Sequence, residues 1–199
     1  MNVSEEKARI RKEIKRRRSL LSASVLSDIE KSLPEFISAI DDSELKKELK
    51  NAKRIALYRS FNGEVPVDGL AEYFMSQGKT CCFPRIENDT MVFCDCSSLK
   101  DSEFDESSIG IKEPVGTKAA VDPKDIDVVV LPAVAYNEEG TRLGMGGGYY
   151  DRFIGSLGSD RPYLLGICYE FQICSDVPGT DNDISADFIA VIPEETYGE

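Results

Sequence analysis

The residues best suited to chemistry lie in a glycine-rich segment, residues 137–152, whose sequence is NEEGTRLGMGGGYYDR. The segment holds five of the chain's fifteen glycines and directly follows the most apolar run, DVVVLPAVAY. When a buried strand leads into a glycine-rich turn and then a helix, backbone N–H groups point towards an anion such as phosphate. The sequence therefore predicts a phosphate-binding turn here.

The side chains beside the glycines favour that interpretation over a flexible hinge, which is the simplest alternative for a glycine run. The glycines within residues 144–148 let backbone amides approach an anion closely, and Arg142 adds a charged fork just before them. Asp151 could serve only as a cap at the start of a helix. Beside bound phosphates, however, its carboxylate is suited to Mg²⁺, which takes one or two carboxylates together with substrate phosphates.

Two familiar nucleotide motifs fit this chain poorly. Gly78-Lys79-Thr80 resembles the end of a Walker A loop, but Tyr73 replaces the earlier glycine and the predicted order is helix then strand. Gly144-Met145-Gly146 resembles the start of a dinucleotide motif, but Tyr149 stands in place of the third glycine. We reject both motifs.

The composition restricts the available chemistry. The chain has no histidine, which excludes Ser-His and Cys-His catalytic pairs and most zinc sites. Its six cysteines form no CxxC motif and lie in or beside apolar runs, so we expect buried free thiols. Chemistry must therefore use carboxylates, Lys, Arg, Tyr, backbone amides or a hard metal ion.

Positive charge is concentrated in a helix predicted over residues 5–21. Residues 1–18 contain eight Lys and Arg against three Glu, although the whole chain has a net charge of −12. A nucleic-acid-binding protein would usually spread such charge over a face of its fold. The apolar stripe of this helix consists of Ile10, Ile14 and Leu21. The basic side next to it consists of Lys7, Arg11, Lys15 and Arg18. The basic side is either a solvated face or a cover over a polyanionic ligand.

Hydrophobic periodicity predicts alternating strands and helices. Further helices are expected over residues 24–40, with a kink or break at Pro34, and over 67–77 and 149–157, while 41–51 form a helix or loop. Strands are expected over residues 54–60, 80–86, 91–96, 127–136, 163–169 and 188–192, and a loop over 177–183. This alternation predicts an α/β fold whose mostly parallel central sheet is flanked by helices in a Rossmann-like three-layer arrangement, preceded by N-terminal helices.

The length of 199 residues predicts a single domain, residues 1–199, with one hydrophobic core. The chain is 41% hydrophobic and 30% charged, as expected for an ordinary globular protein. It lacks both an apolar run of the ~20 residues that span a bilayer and a secretory signal, so a cytoplasmic location is expected.

The glycine-rich segment also carries a family resemblance. The run RLGMGGGYYDR resembles the signature of the 5-formyltetrahydrofolate cyclo-ligase family, whose members are also called methenyltetrahydrofolate synthetases. The similarity extends over nearly the whole chain. It includes Lys7-x-x-x-Arg11, Ser60-Phe61-Asn62-Gly63-Glu64, Pro84-Arg85, Glu113-Pro114, and Val177-Pro178 leading to Asp183.

The resemblance implies ATP- and Mg²⁺-dependent cyclisation of 5-formyltetrahydrofolate to 5,10-methenyltetrahydrofolate, with release of ADP and phosphate. The formyl oxygen would be phosphorylated, and N10 of the folate would then attack the activated carbon. Phosphoryl transfer asks the protein mainly for positioning and charge neutralisation, so no histidine is needed. The implied partners are these small molecules, with no nucleic acid and no membrane, and the protein would be a monomer or weak dimer.

The resemblance also implies residue roles. The catalytic residues would be Lys7, Arg11 and Arg142. These three would contact ATP together with Leu143, Gly144, Met145, Gly146, Gly147, Gly148, Tyr149 and Tyr150. The folate would contact Arg59, Phe61, Glu64, Met145, Gly146, Gly147, Gly148 and Tyr149. Mg²⁺ would be held by Asp151 and Asp183.

Two other functions fit parts of the sequence. The basic helix could belong to a module that binds nucleic acid or another polyanion, although the strongly acidic remainder argues against it. An α/β enzyme acting on a phosphorylated small molecule without ATP, such as a sugar-phosphate isomerase or a CoA transferase, would leave Lys7 and Arg11 unexplained.

Overall fold

The structure, a computed structural model, describes residues 2–175, 177–178 and 184–198. Its helices are α1 Val3–Arg18, α2 Ala23–Ala39, α3 Ser43–Asn51, α4 Asp68–Ser76 and α5 Tyr149–Gly155. Its strands are β1 Arg54–Ala56, β2 Thr80–Glu87, β3 Thr90–Cys96, β4 Phe104–Glu106, β5 Lys112–Pro114, β6 Val128–Leu131, β7 Ala135–Tyr136, β8 Arg142–Leu143, β9 Tyr163–Tyr169 and β10 Phe188–Ile192.

A six-stranded sheet forms the centre of the fold, in the order β10-β9-β6-β1-β2-β3. Every neighbouring pair is parallel except β2 and β3, which form an antiparallel hairpin at one edge. Strands β1, β6 and β9 lie at the centre and their residues are almost all buried, as expected where helices cover both faces of a parallel sheet. The predicted α/β architecture is confirmed.

The apolar run over residues 127–136 does not form one long strand. β6 ends at Leu131, and Pro132, which lacks a backbone N–H, follows at once. The chain then pairs in a separate two-stranded ribbon, in which Ala135 of β7 lies opposite Leu143 of β8. The glycines of residues 144–148 therefore follow this ribbon and not the buried strand itself.

The first two helices differ from the prediction at their ends and at one proline. Helix α1 begins after Asn2, whose side chain forms a capping box with Glu5, and it ends at Arg18, three residues before the predicted end. Helix α2 runs through Pro34 without a break, because its apolar face is buried on both sides of the proline, at Ile29, Leu33 and Ile37.

The six cysteines are free thiols, and all but Cys174 are buried, as predicted. Burial raises the pKa of Cys81 to about 12 and that of Cys96 to about 11. A thiol is nucleophilic only as the thiolate, so these groups are inert packing residues at neutral pH.

Candidate active site

Several of the predicted site residues that the structure describes lie at the carboxyl edge of the parallel sheet, which is where ligands bind in open α/β folds. The turn of residues 61–64 lies beyond the carboxyl end of β1, and the segment of residues 132–134 lies beyond that of β6. Helix α1 packs over this edge, since it contacts β7 and Arg18 donates a hydrogen bond to the Ala133 carbonyl oxygen. These elements enclose the candidate site.

The glycine loop, residues 144–148, links β8 to α5. Gly146 and Gly148 have φ angles of 108° and 65°, in the region that favours glycine, and Gly148 is the N-cap of α5. Met145 is 45% exposed, and the loop is held from outside by Arg152, which donates a 2.9 Å hydrogen bond to the Gly147 carbonyl. Four of the five loop residues are glycines and carry no side chain of their own.

Arg142 is buried behind the loop, with its side chain 4% exposed. Its Nη1 donates to the Pro132 carbonyl at 2.8 Å and its Nη2 to Asp151 Oδ1 at 2.8 Å. A Cβ added at Gly144 would lie 2.9 Å from the guanidinium, so only glycine leaves room for this arrangement. The arginine and the aspartate that the sequence predicts for phosphate and Mg²⁺ are therefore paired with each other.

Arg11 joins the basic helix to the glycine loop, although the two are 133 residues apart in sequence. Its Nε donates a 2.9 Å hydrogen bond to the Gly144 carbonyl, and the guanidinium lies 3.8 Å from the position of a Cβ built at Gly146. Lys7 lies one turn earlier on the same helix and is half-buried. The N-terminal helix α1 thus contacts the glycine loop.

Glu64 lies buried in the turn after β1, with 9% of its side chain exposed. Its Oε2 accepts a 3.2 Å hydrogen bond from the Phe61 N–H, and its Oε1 lies 3.8 Å from Arg18 Nη1. Burial raises the pKa of the Glu64 carboxyl, while Arg18 and the Phe61 N–H oppose that rise. Phe61 is half-buried, and its ring borders Gly110.

Arg59 is placed nearby but is engaged with other groups. Its Nη2 lies 3.0 Å from Asp68 Oδ2, and its guanidinium stacks 4.4 Å from the centre of the Phe104 ring. Its side chain is 10% exposed. These contacts anchor the start of α4 to the chain after β1.

The remaining predicted residues are divided between the site and the core. Leu143 is buried in the main hydrophobic core. Tyr149 is half-buried and stacks under Arg152, whose guanidinium lies 5.0 Å from the ring centre. Tyr150 lies 5.6 Å from the Arg142 guanidinium, and its buried hydroxyl has no hydrogen-bond partner among the residues that the structure describes.

Sequence reasoning missed the part played by residues 132–134. Their carbonyl oxygens accept hydrogen bonds from three buried side chains of three separate elements, Arg18, Arg142 and Gln172. A proline directly after a buried strand was a signal that the backbone leaves the sheet there and needs other partners. Through these hydrogen bonds, the segment connects α1, β8 and the turn that follows β9.

The donor set for Mg²⁺ is small in the part of the chain that the structure describes. No group of three or more Cys, Asp or Glu side chains there could hold a metal ion. Asp151, with 24% of its side chain exposed, offers one carboxylate at the glycine loop, and Asp183 lies outside the described residues. One or two carboxylates fit Mg²⁺ that arrives bound to phosphates, and they do not fit a permanent all-protein metal cage.

A cavity of about 430 Å³ lies elsewhere, beside β10. It is lined by backbone and side chains of residues 137–140 and 186–189, with Ile173 and Val191, and by none of the residues predicted for the site. The candidate site is located instead by the charged side chains at the glycine loop, Arg11, Arg142 and Asp151.

A mostly parallel α/β sheet with a bare glycine loop and buried charged side chains at its carboxyl edge is typical of enzymes that bind phosphorylated ligands. The model of the 5-formyltetrahydrofolate cyclo-ligase family matches residues 3–192, and the chain belongs to this family. The resemblance predicted from the sequence is confirmed, and so is the enzyme class, a ligase.

Relatives cover most of the chain. The 5-formyltetrahydrofolate cyclo-ligase of Haemophilus influenzae is 28% identical over 185 residues, which are 91% of this chain and 95% of the relative. That of Mus musculus is 26% identical over 197 residues, which are 94% of each chain. The NMR structure of Aquifex aeolicus 5,10-methenyltetrahydrofolate synthetase is similar at a TM-score of 0.75 and 28% identity, covering 93% of this chain and 89% of that chain. A structure of a 5,10-methenyltetrahydrofolate synthetase from Mycoplasma pneumoniae is similar at a TM-score of 0.70 and 27% identity, covering 92% of this chain and 97% of that chain.

In the part of the chain that the structure describes, no helix has the length and apolar character needed to cross a bilayer.

Proposed function

We propose that this protein catalyses the ATP- and Mg²⁺-dependent cyclisation of 5-formyltetrahydrofolate to 5,10-methenyltetrahydrofolate. The observation that carries the proposal is the contact between α1 and the glycine loop, where Arg11 reaches the Gly144 carbonyl. This contact places a cationic helix over a bare backbone turn. Family membership supplies the substrate, and the geometry supports a polyanion bound between the two elements.

The triphosphate of ATP would lie between α1 and the glycine loop. Lys7 and Arg11 would contact it from the helix, and the amides of residues 144–148 would contact it from the loop. Arg142 supplies a buried positive charge behind the loop, where its field is weakly screened because solvent is excluded. Together these groups would hold the γ-phosphate and neutralise the charge that spreads over it during transfer.

Mg²⁺ would be held by Asp151, with Asp183 as a second carboxylate and the phosphates as further ligands. When bound, the ion would neutralise part of the negative charge on the phosphates. Asp151 accepts a hydrogen bond from Arg142 at 2.8 Å, so its carboxylate is held beside the loop before any ligand binds. The protein thus contributes a carboxylate in a fixed position beside the loop.

The folate would occupy the space beside Glu64. The Glu64 carboxylate would accept hydrogen bonds from the pterin N–H groups, and Phe61 and Tyr149 would form aromatic walls. The exposed Met145 side chain would cover the substrate from the loop, and Arg59 would support the wall through its pair with Asp68. This arrangement would bring the formyl group next to the phosphate site.

The proposed reaction needs no nucleophile from the protein, because both attacking atoms belong to the folate. The formyl oxygen attacks the γ-phosphorus, and the bond from that phosphorus to the bridging oxygen breaks to release ADP. N10 then attacks the formyl carbon and loses its proton to solvent, and the carbon–oxygen bond breaks with phosphate as the leaving group. The protein supplies orientation and charge stabilisation, which agrees with a site built from Arg, Lys and backbone amides.

The free thiols of the chain are consistent with a reducing compartment, and we propose a cytoplasmic location. The small-molecule substrates are the proposed partners.

The proposed function is tested by mixing purified protein with 5-formyltetrahydrofolate, ATP and Mg²⁺ and following the absorbance of the methenyl product. We expect product only when all three are present, with one ADP and one phosphate formed for each product molecule. Product without ATP consumption would contradict phosphorylation of the formyl oxygen. ATP hydrolysis without product, or retention of the protein on immobilised nucleic acid in a salt-dependent manner, would favour a different function.

A substitution at Glu64 tests the folate pocket. We expect Glu64→Gln to raise the folate KM by about tenfold, because a hydrogen bond to a charged acceptor is replaced by a neutral one. The KM for ATP should stay within about twofold of the wild-type value. Steady-state kinetics in which each substrate is varied in turn would measure both effects.

Glu103→Gln is the matched control, because Glu103 also accepts a hydrogen bond from a backbone N–H, that of Ser97, and pairs with a cation, Lys118. It should leave the folate KM unchanged. Equal folate KM values for Glu64→Gln and the wild type would remove Glu64 from the pocket.

A further inference from the structure

Arg18 occupies a position on α1 where an apolar residue would be expected. The buried stripe of the helix is Ile10, Ile14 and Arg18, at intervals of four residues. Sequence periodicity instead assigned the third place to Leu21, which is only partly buried. With 3% of its side chain exposed, Arg18 is a charged residue buried at the end of an apolar stripe.

Both the backbone and the side chain of Arg18 contact the turn that carries Glu64. A Cβ at Gly63 would lie 2.8 Å from the Arg18 carbonyl oxygen, so the turn rests directly on the end of α1. The Arg18 Nη1 lies 3.8 Å from Glu64 Oε1, and its Nη2 donates to the Ala133 carbonyl. Its Nε is buried and has no partner within the described part of the chain. The guanidinium is thus held between the Glu64 carboxylate and the Ala133 carbonyl.

Three phenols lie close enough to Glu64 for its carboxylate to raise their pKa values. Tyr58 lies after β1, Tyr150 lies in α5, and Tyr169 ends β9 and donates from its hydroxyl to the Glu64 backbone carbonyl at 3.4 Å. Burial raises the pKa of each phenol, so all three are neutral around pH 7. Within the described residues, Arg18 is the cation that offsets the cost of a buried Glu64 carboxylate.

We propose that Arg18 is a positioning residue that keeps Glu64 ionised and turned towards the pterin N–H groups of the folate. The inference rests on the proposed function, since it assigns Glu64 to the folate pocket. The simpler alternative is that the pair serves only the stability of the fold, as many buried ion pairs do. The two differ in how folate binding depends on pH.

Removing Arg18 takes away the interaction that lowers the pKa of Glu64, so that pKa rises and more of the carboxyl is protonated at neutral pH. We therefore expect Arg18→Met to raise the folate KM by about tenfold near pH 7. The defect should shrink as the pH rises above 7, because more of the carboxyl is then ionised. The wild-type KM should change little over this range, and the KM for ATP should be unaffected in the variant.

Arg18→Lys keeps the positive charge and is expected to retain a folate KM within about threefold of the wild type at all pH values. Arg17→Met is the control for loss of a neighbouring arginine, because Arg17 stacks on Phe171 at 4.5 Å and lies 3.7 Å from Glu194, away from Glu64. It should leave the folate KM unchanged at every pH. Thermal melts of each variant establish that folded protein is compared.

A folate KM that rises equally at every pH in Arg18→Met would overturn the proposal and assign the residue to the fold alone. If Arg18→Met does not fold, the Arg18→Lys profile decides, because a pH-independent loss of folate affinity in that variant would equally overturn the proposal. A wild-type protein that forms no methenyl product would instead contradict the proposed function, so the two failures are distinguishable.

Discussion

We expect Arg142→Ala to lower kcat by roughly 100-fold to 1000-fold, the loss observed when one preorganised donor is removed from a charge-stabilising site. Arg142 is the buried cation behind the glycine loop, and it holds both the Pro132 carbonyl and Asp151 in place. Its loss removes positive charge from the phosphate site and releases the carboxylate proposed for Mg²⁺. The rate of methenyl formation at saturating ATP and folate measures the effect.

The matched control is Arg54→Ala, which breaks a similar ion pair at the opposite, amino edge of β1. Arg54 binds Asp95 through Nε and Nη2 at 3.1 Å each. This variant should keep kcat within about twofold of the wild type, even if its melting temperature falls. Equal kcat for Arg142→Ala and the wild type would remove Arg142 from the catalytic site.

We expect Asp151→Asn to lower kcat by roughly 100-fold and to raise the Mg²⁺ concentration for half-maximal rate by about 10-fold to 100-fold. The amide keeps an oxygen that can accept the hydrogen bond from Arg142, so the fold should be retained. It lacks the negative charge that a hard cation requires from its ligands. Initial rates measured across a series of Mg²⁺ concentrations separate the two effects.

Asp95→Asn is the control for this change, since Asp95 pairs with Arg54 far from the glycine loop. Its dependence on Mg²⁺ should match that of the wild type. If Asp151→Asn responds to Mg²⁺ as the wild type does, Asp151 is not a metal ligand and acts only as the partner of Arg142.

The architecture was predictable because the strands of this fold are short apolar runs separated by helical periodicity. Strand β9 matches the predicted bounds, residues 163–169, since six of its seven residues are buried and the run contains no charged residue. The prediction of one strand over residues 127–136 was wrong. Pro132 ends it within an unbroken apolar run, and apolar character alone does not distinguish a sheet strand from the ribbon that follows.

The candidate site was predicted as a set of residues but not as a set of contacts. The glycines and Arg11 are found together, as the signature implied. The pairing of Arg142 with Asp151 and the burial of Arg18 were not foreseen, because both depend on where separate elements meet in space. Periodicity within one helix shows which face is buried and does not show that a charged residue on it has a buried carboxylate to contact.

The central claim, that α1 and the glycine loop together bind the phosphates of ATP, is tested most directly by calorimetric titration with a non-hydrolysable ATP analogue and Mg²⁺. Arg11→Ala is compared with Arg16→Ala, which removes an exposed arginine of the same helix that pairs with Glu13. We expect Arg11→Ala to weaken the binding of the analogue by about tenfold or more, as for loss of one charge-assisted contact, and Arg16→Ala to leave the Kd within about twofold. Equal Kd values for the two variants would contradict the claim.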